Sequence, residues 1–116
     1  GGLRLPFNLL SRRKIQMTIR YAINASSTKL SKNSNDFELK EGWYKGRMVY
    51  APSVIRIVNG IKNEPQQTFD DKDSAQDCIK DLPKNIIRDT SITAYSYEVF
   101  EVELHHTGGV KEVRSC

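Results

Sequence analysis

The sequence predicts a single α+β domain, an antiparallel sheet of about four strands with one helix packed across one face. Three patterns carry this expectation. Apolar residues alternate with period two from Met17 to Ala25, they repeat at helical spacing from Ala75 to Leu82, and β-branched and aromatic residues crowd two further runs, 42–58 and 92–104. With 116 residues and 38% hydrophobic content, the chain has the material for one modest core and no second domain.

Residues 1–16 are expected to stand outside that domain, which is assigned to 17–116. Gly1-Gly2 reads as the remnant of a removed tag. The run Ser11-Arg12-Arg13-Lys14, a few codons ahead of Met17, is what translation of a purine-rich ribosome-binding site would leave, because AGG and AGA encode arginine. The plainer reading is a basic arm of the kind that often binds nucleic acid. Met17 then opens the first strand: Met17, Ile19, Tyr21, Ile23 and Ala25 share one parity, against Thr18, Arg20 and Asn24 on the other.

The next segment, Ser26 to Asp36, is polar and reads as a mobile loop. Gly42 to Tyr50 reads as a strand in which Gly46 marks a bulge or a close approach of another backbone, and Pro52 ends it or bends it. Ser53 to Val58 has the β-branched density of a buried strand. Asn59-Gly60 then suggests a two-residue hairpin turn, followed by a return leg, Ile61 to Phe69, that is at most a short edge strand.

The helix is expected over Asp71 to Leu82. Ala75, Cys78, Ile79 and Leu82 lie on one face, Asp70, Asp71 and Asp73 suit the positive end of the helix dipole, and Pro83 stops the helix. A connector, KNIIRDTS, leads into the longest strand, ITAYSYEVFEVELHH. Its apolar parity switches at Val99-Phe100, and a β-bulge there would restore a single buried face. Gly108-Gly109 turns the chain, and VKEV either adds a short edge strand or frays.

Charge and cysteines narrow the function. The chain holds 18 basic and 14 acidic residues; removing Arg4, Arg12, Arg13 and Lys14 leaves 14 basic against 14 acidic from Met17 to Cys116. The body is neutral, which weakens a nucleic-acid reading. No apolar run approaches the roughly 18 residues of a membrane span, and LPFNLL precedes its basic residues where a secretory signal would follow them. A soluble, cytoplasmic protein is expected. The glycosylation pattern at Asn24-Ala25-Ser26 then carries no weight. Cys78 and Cys116 form neither a disulfide framework nor a zinc pattern: Cys78 reads as a small buried hydrophobe and Cys116 as an exposed thiol.

Two groupings merit a chemical reading. Regular strand geometry would put Trp43, Lys45 and Arg47 on one face, an aromatic plane with cations suited to single-stranded nucleic acid, and Tyr95 and Tyr97 would widen it if the strands are neighbours. The plainer reading anchors Trp43 in the core edge and leaves the cations solvated. Glu101, Glu103 and His105 would share a strand face and are the only metal-ligand candidates, but no second element completes a site, and no metal or other cofactor is expected. The Asp70–Asp73 cluster is fully explained by helix capping. No nucleophile elbow, phosphate loop or dinucleotide fingerprint is present, so the chain is not read as an enzyme.

The expected function is therefore that of a small non-enzymatic binding or regulatory protein acting through protein–protein contact or self-association, using a sheet face or edge strand; interfaces favour Tyr, Trp and Arg. The abundance of Ile, Asn and Lys, with the leader, fits a bacterial or bacteriophage source. The alternative is a single-stranded nucleic-acid binder.

Overall fold

The computed structural model describes residues 17–48, 51–61, 63–105 and 110–116. The leader at 1–16, the strand end expected at Tyr50, His106 and the Gly108-Gly109 turn lie outside the described residues. In chain order the elements are β1 (Met17–Ser31), β2 (Phe37–Met48), β3 (Ala51–Asn59), α1 (Lys72–Lys80), β4 (Asn85–Ile87), β5 (Ser91–His105) and β6 (Val110–Ser115).

The architecture corrects the four-stranded α+β expectation. The chain is nearly all antiparallel sheet, a curled half-barrel with one short helix. The strands run in the order β3-β2-β1-β5-β4, and β6 pairs with the same edge of β5 as β4 does, further along the strand. Two polar segments that had read as loop and connector are strand. Residues 26–31 extend β1 because the backbone there is hydrogen-bonded to a neighbour on each side, Ser27 pairing with both Lys40 and Tyr95. Such pairing satisfies the backbone without apolar side chains. Residues 85–87 form β4, closed against β5 by the Arg88 N–H donating to the Ser91 carbonyl at 2.8 Å.

Glycines shape the β2–β3 ribbon. A Cβ on Gly42 would overlap the Val58 carbonyl oxygen, so only glycine permits the β3 backbone to cross there. Gly46 has φ +122° at a bulge where the register steps from Tyr44↔Ile57 to Gly46↔Arg56, leaving Lys45 as the extra residue. Pro52 stands inside β3 where the register shifts between Met48↔Ala51 and Arg47↔Ile55, an irregularity of the kind that tolerates proline on an edge strand. Past Gly60 the described residues leave the sheet, and among them neither the Asn59-Gly60 hairpin nor the Ile61–Phe69 edge strand forms. Only Phe69 returns, exchanging backbone hydrogen bonds with Tyr21 at 3.0 and 2.7 Å on the stretch of β1 that β2 has left. Arg20 secures that return, bonding to Thr68 Oγ1 at 3.0 Å and ion-pairing with Asp70.

The helix is two residues shorter than expected at its C-terminal end and starts one later, with Asp71 as the cap: the Ser74 N–H donates to Asp71 Oδ1 at 2.7 Å. It packs on the concave face, where Ala75 and Leu82 join Ile23, Ala25, Tyr44, Ile55 and Val99 in one core cluster. A second cluster lies on the opposite face, where Ala22, Trp43 and Val102 are buried among Phe100, Leu104 and Val113. The two clusters explain β5. Its pairing with β1 is unbroken from Met17↔His105 to Ser31↔Ser91, so the bulge expected at Val99-Phe100 is absent. The apolar parity switches because the cover switches: the helix lies over Val99 and the residues before it, and the second cluster takes the even-numbered residues after it.

Candidate functional site

The residues singled out from sequence do not converge. Trp43 is fully buried on the convex face, its Nε1–H donating to the Asn63 carbonyl at 2.5 Å and its ring edge-on to Phe100 at 5.9 Å. The bulge at Lys45 and Gly46 turns Arg47 to the other face, opposite Ile55, where its guanidinium donates to the Asp81 carbonyl at the helix end, 2.6 Å away. Tyr95 and Tyr97 lie on that concave face, their rings parallel with centroids 6.3 Å apart. Tyr97 is occupied beneath the helix end, its hydroxyl donating to the Pro83 carbonyl at 2.6 Å. Of the five, Tyr95 lines a hollow on that face.

Glu101 ion-pairs with Arg114, its cross-strand partner on β6, at 3.4 Å, and Glu103 lies opposite Glu112. The side chain of His105 lies outside the described residues, and no cluster of metal-ligating side chains occurs among the described residues. Asp70, Asp71 and Asp73 act as an ion-pair partner, a cap and a first-turn anion. Cys78 is half-buried beside Tyr44, and burial followed by the Asp81 carboxylate pushes its thiol up, away from the reactive thiolate; Cys116 is exposed.

What sequence reading missed lies at the end of the sheet farthest from Met17. There the helix-side cluster reaches only through Ile55, Ile57 and Tyr95, and along β1 and β2 the polarity of the strand faces is inverted. On the convex face, Phe37, Leu30, Ile92 and Ile87 are successive cross-strand partners on β2, β1, β5 and β4. They form one row about 14 Å long, given neighbouring strands about 4.8 Å apart. Phe37 is 69% exposed, Leu30 50% and Ile87 70%, and Leu39, 62% exposed, flanks the row opposite Thr28. The stripe was legible as the alternation Phe37-Glu38-Leu39-Lys40, but its outward direction was not.

The concave face at this end is polar where cores are usually apolar. A trough of about 280 Å³ crosses all five strands of the main sheet, with Ser27 and Thr93 in its floor, Ile55 and Ile57 on one wall and Ile86 on the other. Three cations face it, Lys29, Lys40 and Arg88, against one carboxylate, Glu38. Burial pushes the Tyr95 phenol up while Arg88 and Lys40 pull it back, which places both cations within electrostatic reach of its hydroxyl.

Comparison with known protein families, known proteins and solved structures yields no match. Among the described residues, no helix is long and apolar enough to cross a membrane.

Proposed function

We propose that the chain is a non-enzymatic, cytoplasmic binding protein that acts through protein–protein contact at its convex apolar stripe. The observation that carries this reading is the unbroken row Phe37–Leu30–Ile92–Ile87. Isolated exposed hydrophobes are ordinary on protein surfaces, but a contiguous apolar strip spanning four neighbouring strands is a feature of interaction sites. Its geometry suits a flat partner surface or a second sheet stacked about 10 Å away. The two free cysteines accord with a reducing compartment. The nucleic-acid alternative loses its stacking plane, since Trp43 is enclosed on the opposite face from Arg47.

The test pairs affinity capture from the native host with sedimentation of the purified chain, using wild type and a Phe37→Asp/Leu39→Asp variant. The variant keeps the wild-type circular dichroism, because both side chains are already exposed, and it loses the captured partner or the self-association of the wild type. Identical capture and sedimentation by the two proteins would remove the stripe as the site.

A further inference from the structure

We propose that the concave trough at the open end of the half-barrel binds a small organic anion with an apolar body. A curled sheet normally fills its concave side with apolar side chains, and this one does so beneath the helix but mixes them with charged and hydroxyl groups beyond it. Beyond Tyr95 the strands instead turn Ser27, Lys29, Glu38, Lys40 and Thr93 inward while Leu30, Leu39 and Ile92 point out.

The inward charges are unbalanced in a specific way. Glu38 stands directly opposite Lys29 in the register, yet its carboxylate is taken by Lys40 Nζ at 3.3 Å. Lys29 and Arg88 have no ion-pair partner among the described residues, and they face the trough from β1 and from the end of β4. Two cations converging on one hollow repel each other and are relieved by an anion between them. The guanidinium of Arg88 offers the fork that a carboxylate or phosphate accepts in two bonds, and the hydroxyls of Ser27, Thr93 and Tyr95 supply further donors.

The rest of the lining sets the ligand body. Ile55 and Ile57 face Ile86 across the trough, and the Tyr95 ring adds an aromatic surface, so a charged head alone would leave the walls unsatisfied. A hollow of about 280 Å³ lies just below the range typical of drug-sized ligands, which points to a two-ring aromatic or a short branched chain. A second hollow of about 330 Å³ adjoins it through Lys29, Glu38 and Ser91.

The experiment titrates the full chain with naphthoate, naphthyl phosphate, neutral naphthalenemethanol, inorganic phosphate and a short single-stranded oligonucleotide, read by amide chemical shifts. The expected result is saturable binding of naphthoate or naphthyl phosphate with shifts centred on Ser27, Thr93 and Tyr95; which of the two binds tighter identifies the head group. The neutral alcohol and inorganic phosphate bind at least about tenfold more weakly, since each lacks either the charge-assisted bonds or the apolar contact. Lys29→Glu/Arg88→Glu, verified as folded by its spectrum, loses about tenfold or more, and Leu39→Ser on the outer face binds as wild type. Equal binding of the neutral compound, shifts centred on Phe37 and Leu39, or unchanged affinity of the double variant would overturn the proposal. An oligonucleotide that binds more tightly than either aryl anion, with the same loss in the double variant, would replace the small anion by single-stranded nucleic acid.

Discussion

Tyr97 joins the sheet to the chain just past the helix with one hydroxyl, which donates to the Pro83 carbonyl. The phenol is half-buried beneath the helix end, and burial, followed by Tyr95 and Tyr44, raises its pKa far above 10.0. Burial raises Tyr44 and Tyr95 as well. A group whose folded pKa lies above its unfolded value adds stability that is complete below the unfolded value and is lost as pH climbs towards the folded one. Stability should therefore be level through neutral pH and fall steeply above about pH 10. Tyr97→Phe should cost about 1 kcal/mol at neutral pH, because it leaves the Pro83 carbonyl unpaired, and should make the alkaline fall shallower. Urea denaturation of both proteins between neutral pH and pH 11 checks the two statements together.

At the scale of elements, β5 decides between two explanations of one sequence pattern. Val99 is buried against the helix-side cluster and Val102 against the opposite one, on a strand whose register with β1 never breaks. Val99→Ala and Val102→Ala should each cost roughly 1.5–3 kcal/mol, the worth of a fully buried side chain of this size. A bulge would instead put both on one face, so a Val99→Ala/Val102→Ala variant would show strong coupling; here the two losses should add within about 0.5 kcal/mol in chemical denaturation. The parity switch was legible in the sequence, and so were the helix, its aspartate cap, the Gly46 irregularity and the first half of β1. The cause of the switch was not, because period-two patterns report which residues are covered and say nothing of what covers them. The same limit hid residues 26–31 and β4: their backbones are paired while their side chains stay polar or exposed, and composition alone reads such stretches as loop. Trp43, Lys45 and Arg47 were grouped by assuming a regular strand, and one extra residue at the bulge divides Trp43 from Arg47.

Across the whole molecule, cover is distributed unevenly along a long sheet. The helix fills the concave middle, the second cluster with β6 covers the convex face near Met17, and the far end is exposed on its convex face and only thinly covered on its concave one. At that end an apolar stripe lies outside and a cationic trough inside, so both proposed sites fall where the core clusters thin out. The stripe matters most to the account, since it is the feature that a folded chain alone has no use for. A photo-activatable phenylalanine analogue installed in turn at Leu39, at Ile87 and at Thr93 in the native host tests it most directly. A discrete protein adduct is expected from the two outer positions, abolished by Phe37→Asp, and none from Thr93. Adducts from Thr93 alone, or from none of the three, would contradict it.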